Sequence, residues 1–222
     1  MWLAPGMTYY RLRDIKTPPF AYVLNKDVVL HTCWLCQMPF QELRGPLEVE
    51  ICTTESGEWE ERINGKPLMA DHWLIGDELF GERIETICPG MFRKTPVKIV
   101  SWLARSPMDT FSDPGELLKV QQHSTQPGYF HFKPKTQIEL AAHLLESFPP
   151  MKCCECQREI PEIPIDFQPV PNLKGPAPSV VSLEGLYLEG YDYLFHQDIL
   201  SKLESEFPGM ILEKLAPEPL AI

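Results

Sequence analysis

Two Cys-x-x-Cys pairs restrict this chain more than any other feature: Cys33-Trp34-Leu35-Cys36, followed by Gln37, and Cys153-Cys154-Glu155-Cys156, followed by Gln157. Two cysteines three apart on a tight turn aim both thiolates at one point. Four thiolates from two such turns make a tetrahedral site that suits zinc. The expectation is that Cys33, Cys36, Cys153 and Cys156 share one zinc ion, joining an early loop to a late one across more than a hundred residues. Compact zinc ribbons hold their pairs ~15–20 residues apart, so the shared site is argued here from residue type and not from spacing. Cys154, inside the second pair, and His31, two positions before Cys33, are the alternative ligands.

The remaining composition bounds the class. Seven cysteines are an odd number, and no basic stretch followed by a long apolar one opens the chain. Paired CxxC spacing without such a signal reads as metal or redox chemistry in a reducing, cytoplasmic compartment, not as a disulfide framework. No apolar run approaches the ~20 residues of a membrane helix. A chain of 222 residues with 44% apolar and 23% charged side chains has enough material for a sizeable core, and it is read as one domain over 1–222. The formal net charge is -11, from 31 acidic and 20 basic residues. That field opposes nucleic acid and anionic membranes and favours a basic partner.

Along the chain, Thr8–Leu12, Ala21–Leu24 and Val28–His31 read as strands, the last two as a hairpin about Asn25-Lys26-Asp27. The second of that pair would deliver Cys33 at its exit. Leu47–Cys52 alternates apolar and polar residues, with Leu47, Val49 and Ile51 inward. An acidic loop follows, with Trp59 among Glu55, Glu58, Glu60 and Glu61. Frequent Gly and Pro between 64 and 95 argue against long elements there. Val97–Leu103 and Tyr129–Lys133 are further strands. Asp113-Pro114-Gly115-Glu116 predicts a helix start running to about Gln122, and Thr136-Gln137-Ile138-Glu139 is a capping-box pattern opening a second helix that ends at Pro149. Prolines fill an extended segment at 157–178. Ser179–Leu183 and Met210–Leu215 read as strands, and Ile199, Leu200, Leu203 and Phe207 as the face of a helix stopped by Pro208-Gly209. No internal repeat is visible beyond the CxxC pair. The irregular order predicts an α+β fold with mixed or antiparallel sheets and about three helices, clamped by zinc through the two distant turns.

Catalytic motifs are missing. There is no His-Glu-x-x-His, no phosphate loop and no Gly-x-Ser-x-Gly, and the reading is of a non-enzyme. The enzymatic rival is a thiol-disulfide redox site at Cys33 and Cys36, which follow a strand. Such a pair needs to start a helix whose N-terminus lowers the thiol pKa, and Pro39 and Gly45-Pro46 leave poor material for one.

Two widely separated CxxC pairs in a chain of this size resemble the double-CxxCG motif proteins of predatory soil bacteria, some of which look like immunity proteins encoded beside toxins. The resemblance covers both pairs and, more loosely, the segment from Tyr193 to Leu215. Gln37 and Gln157 stand where the family has Gly after each second cysteine, a departure that bears on turn geometry and not on thiolate number. The resemblance implies a toxin-neutralising immunity protein with a structural zinc, and the charge then suits a basic toxin domain. Glu58, Glu61, Trp59 and Tyr191 are the expected partner contacts, two carboxylates for encounter and two aromatics as anchors. A zinc-stabilised adaptor is the third reading.

Overall fold

A computed structural model describes residues 8–15, 20–25, 30–32, 35, 39–43, 45–53, 64–70, 73–104, 117–118, 128–138, 151–157, 159–160, 178–183 and 193–215. In chain order the strands are β1 (Tyr9–Ile15), β2 (Phe20–Val23), β3 (Leu30–Thr32), β4 (Pro39–Leu43), β5 (Glu48–Thr53), β6 (Leu68–Ala70), β7 (Trp73–Asp77) and β8 (Phe92–Ala104). They continue as β9 (Leu117–Leu118), β10 (Tyr129–Pro134), β11 (Gln137–Ile138), β12 (Met151–Lys152), β13 (Glu159–Ile160), β14 (Val180–Leu183), β15 (Leu194–His196) and β16 (Met210–Lys214). The described helices are α1 (Glu78–Ile87) and α2 (Gln197–Glu206).

The predicted α+β class is overturned. The fold is mostly β, with two helices among the described residues and a closed six-stranded barrel. Strands β10, β7, β6, β2, β5 and β8 follow one another, and β8 pairs back onto β10 to close the ring, with β9 attached outside to β8. A second, five-stranded sheet runs β11-β14-β15-β1-β16. The zinc clamp is withdrawn from the fold class with it: among the described residues, which do not include Cys33 and Cys36, no group of three or more His, Cys, Asp or Glu side chains could hold a metal.

Local chemistry explains several departures. The expected β2–β3 hairpin does not form: β2 pairs with β5 and β6, and β3 pairs with β4. Asn25 directs this, because its Oδ1 accepts from Glu48 N–H at 2.9 Å while its Nδ2 donates to the Pro46 carbonyl at 3.1 Å. The exit of β2 is thereby tied to the entry of β5, whose Leu47, Val49 and Ile51 face inward as their alternation predicts. The stretch from 64 to 95, read as broken, holds a ten-residue helix and the start of a thirteen-residue strand. Two of its glycines, Gly76 and Gly81, are points of close approach. A Cβ on Gly76 would lie 2.2 Å from Phe80 Cδ1, and one on Gly81 would lie 2.8 Å from Lys94 Nζ. The two helix starts read at 113–122 and 136–148 are met instead by strand at Leu117–Leu118 and Gln137–Ile138; the remainder of both stretches is outside the described residues.

Contrary to the sequence reading, the chain is duplicated. Strand β7 runs directly into α1, Cys88-Pro89-Gly90-Met91 follows, and β8 begins; β15 runs directly into α2, Phe207-Pro208-Gly209 follows, and β16 begins at Met210. Cap positions correspond with an offset of 119 residues (77 to 196, 88 to 207). Asp77 and His196 are the N-caps, and the C-caps Cys88 (φ -128°, ψ 70°) and Phe207 (φ -130°, ψ 68°) share one conformation. Strand order repeats as well. In the barrel the sequence β2-β6-β7-β10-β8 matches β11-β14-β15-β1-β16 position by position, the first pair parallel and the rest antiparallel in each case. The fourth strand of each set comes from the other half of the chain. Strand β1 lies between β15 and β16, with Tyr9 opposite His196, and β10 lies between β7 and β8, with Tyr129 opposite Asp77. The two halves thus exchange a strand reciprocally.

Two cores result. One fills the barrel, with Trp73, Ile75, Val49, Ile51, Leu68 and Tyr129 among its members. The other lies where the halves meet and takes equivalent residues from both: Leu12 and Phe132, Leu74 and Tyr193, Phe80 and Ile199, Ile84 and Leu203, Cys88 and Phe207. Strand β7 is buried on both faces because Trp73 and Ile75 face the first core and Leu74 the second, which accounts for its nearly unbroken apolar run. The rings of Phe80 and Phe132, edge-on and 4.9 Å apart, and of Phe80 and Phe207, tilted and 5.1 Å apart, tie α1 to β10 and to the end of α2.

Candidate metal centre

Both CxxC motifs occupy the connections of two-stranded antiparallel hairpins. Strand β3 ends at Thr32, one residue before Cys33, and β4 starts at Pro39, with Thr32 opposite Pro39. Strand β12 ends at Lys152, one residue before Cys153, and β13 starts at Glu159, with Lys152 opposite Glu159. A short hairpin brings the two ends of its connecting segment together, and a bidentate thiolate pair needs its two cysteines on such a tight connection.

The second turn is described in detail. Cys153 is buried, Cys156 half-buried and Cys154 exposed; none of the three is in a disulfide. The backbone N–H of Gln157 donates to the Cys153 carbonyl at 3.0 Å and closes the turn. Gln157 has φ 60°, and it is the one non-glycine residue with positive φ among the described residues. A left-handed conformation costs an ordinary L-residue ~1–2 kcal/mol. Here the Gln157 side chain offsets part of that cost, since its Nε2 donates to the Cys154 carbonyl at 2.7 Å. Gln157 therefore adopts the backbone for which a glycine is normally used.

These residues fit zinc as half of a site. Cys153 and Cys156 supply two soft thiolates on a closed turn, and a structural zinc requires four ligands. Cys33 and Cys36 fall outside the described residues, as do Glu58, Trp59, Glu61 and Tyr191, so their positions relative to Cys153 and Cys156 are not defined. His31 falls within β3, and Leu35, between Cys33 and Cys36, is an exposed turn residue. On α2, Asp198 and Glu204 are exposed, whereas Glu206 is held by an ion pair from Arg83 Nε.

Elsewhere the strongly shifted groups lie in the core. Burial, and then Lys133, push His131 down to about 3. Burial, and then Glu85, push the Cys88 thiol up to about 12, and burial alone takes Tyr9 to about 12. Cys88 therefore stays a thiol at neutral pH and lacks the thiolate that a nucleophile requires. Tyr193 joins the two halves through its hydroxyl, which accepts from Leu74 N–H at 2.9 Å and stands 3.4 Å from His131 Nε2.

The duplication was missed in the sequence, although one signal carried it: Pro-Gly-Met recurs after an acidic amphipathic stretch, at Pro89-Gly90-Met91 and at Pro208-Gly209-Met210. No protein-family model, curated protein or solved structure matches the chain.

Proposed function

We propose that this protein is a cytoplasmic immunity protein that binds and neutralises a basic toxin domain and carries a structural zinc held by Cys33, Cys36, Cys153 and Cys156. The left-handed Gln157 carries the reading. The double-CxxCG pattern has a glycine at that position, and the turn keeps a glycine-type backbone with glutamine in its place. At the second pair the departure is thus one of residue and not of turn shape, which supports the resemblance there. No helix among the described residues is long and apolar enough to cross a membrane.

The redox alternative loses support from the first hairpin. With β4 beginning at Pro39 and paired to Thr32, Cys33 and Cys36 are bracketed by strands. The connection from Thr32 to Pro39 is too short for a helix of several turns, and it is a helix N-terminus that activates such thiols.

Binding is tested with the product of the neighbouring reading frame, as purified toxin domain and in co-expression survival. Rescue of growth and a salt-sensitive association rate are expected, slowed by the double substitution Glu58→Lys/Glu61→Lys. No complex and no rescue would refute the immunity reading. Binding with a rate indifferent to salt and to both reversals would refute the electrostatic part alone.

A further inference from the structure

Strand β1 is seated by the half of the chain to which it does not belong. It lies between β15 and β16, with Tyr10 opposite Phe195 on one side and Lys214 on the other. Backbone hydrogen bonds of 2.9 Å hold its length: Leu12 N–H donates to the Tyr193 carbonyl, Gln197 N–H to the Thr8 carbonyl and Leu215 N–H to the Tyr9 carbonyl. The Tyr9 hydroxyl donates to the Pro178 carbonyl at 2.8 Å, and Arg13 Nε forms an ion pair with Glu213. Tyr9, Leu12 and Ile15 are the buried side chains of the strand.

We infer that the slot between β15 and β16 is a strand-binding site with an exchangeable occupant: it takes β1 from a second copy of this chain, and two copies that trade β1 form a reciprocal dimer. The inference is independent of the zinc and immunity readings.

Recognition in the slot uses main-chain groups, three buried apolar side chains and one ion pair, and none of these depends on which molecule supplies the strand. Among the described elements β1 comes first and is linked in sequence to β2 alone, yet β1 and β2 lie in different sheets and do not pair. The other half shows the same slot filled from outside its own repeat, since β10 enters between β7 and β8 with Tyr129 opposite Asp77, as Tyr9 is opposite His196. Exchange of an identical element between copies keeps the contacts of the closed chain, which makes it a low-cost route to a dimer. Concentration then decides between the two forms. Closure within one chain competes at an effective concentration on the order of 1 mM, the value for a short flexible tether. Cross-chain occupancy should therefore be ~1% at ~10 µM and about half at ~1 mM.

The test uses the full chain carrying Tyr10→Cys and Lys214→Cys, a directly opposed pair in which Tyr10 is half-buried and Lys214 exposed. Isotope-labelled and unlabelled protein are unfolded under reduction, mixed, refolded together at ~10 µM and at ~1 mM, oxidised and digested. Mass spectrometry then reads the disulfide peptide joining positions 10 and 214. The share with one labelled and one unlabelled half should rise more than ~10-fold between the two concentrations, together with a dimer mass by light scattering. Because the substitutions risk misfolding, wild type refolded at the same two concentrations gives a second readout, and a dimer is expected at the higher one.

A disulfide between positions 10 and 214 confined to one chain at both concentrations would overturn the inference; with a dimer mass it would place the contact on another surface. Wild type that stays monomeric at ~1 mM would overturn it as well.

Discussion

Lowering the pH should weaken this protein through His131 in a calculable way. Its imidazole is buried at the junction of the halves and is pushed down to about 3 by desolvation and by Lys133. In the unfolded chain a histidine titrates near ~6.5. The unfolded state therefore binds the proton first, and stability is full above pH ~6.5 and declines as pH falls. The loss is ~1.4 kcal/mol per pH unit and levels off once the folded imidazole also protonates near 3, at a ceiling on the order of 4–5 kcal/mol. That is a large share of the ~5–15 kcal/mol by which domains are stable. The geometry gives the reason: the Tyr193 hydroxyl already accepts the Leu74 N–H and faces His131 Nε2, so a proton on that nitrogen would bring a second donor and a charge into an apolar core. Urea unfolding at pH 7, 6, 5 and 4, on wild type and on His131→Gln, isolates this contribution from that of the carboxylates. The stability difference should move against wild type by ~1–1.4 kcal/mol per unit below pH 6. A difference that stays flat from pH 7 to pH 4 would refute the linkage.

Four further outcomes follow from the same structure. Asp77→Ala removes the acceptor of both Phe80 N–H and Gly65 N–H in a buried position and should cost ~2–3 kcal/mol in thermal or urea unfolding. Gly76→Ala forces a methyl group against Phe80 and should cost ~1–3 kcal/mol. Gly90→Ala, at φ +71° with nothing within 4 Å, should cost only the ~1–2 kcal/mol of a left-handed alanine; a larger loss at Gly90 than at Gly76 would contradict the packing described. Chelation of protein purified without chelator should lower the melting temperature, as should Cys156→Ser, whereas melting curves indifferent to both would count against a structural metal.

What was legible in the sequence was what is local and periodic. Leu47, Val49 and Ile51 announced a half-buried strand, and Ile199, Leu203 and Phe207 with Pro208-Gly209 announced α2 and its stop. The hairpin position of Cys33 was partly legible from the strand before it. Helix α1 was hidden because Gly76, Gly81 and Pro89 look like breakers, although two of them make room for Phe80 and Lys94 and the third follows the helix. The capping pattern at Thr136-Gln137-Ile138-Glu139 was a sound local signal, overridden where Gln137 and Ile138 pair with Ser182 and Leu183. Barrel closure and strand exchange depend on partners far apart in the chain, such as Leu12 and Leu212, and no short window contains both.

Strand exchange also sets the order of events at the ribosome. The barrel lacks a wall until residues as late as Pro134 have been made, because β7 and β8 have only β10 to join them. Strand β1 waits for Leu194 through Lys214. A nascent or truncated first half thus carries two sheet edges with no partner from its own sequence, a state prone to pairing with other chains. Two such halves can satisfy each other by the same trade the intact chain makes internally, so a fragment ending before Tyr129 should be recovered as a dimer or an aggregate and not as a folded monomer.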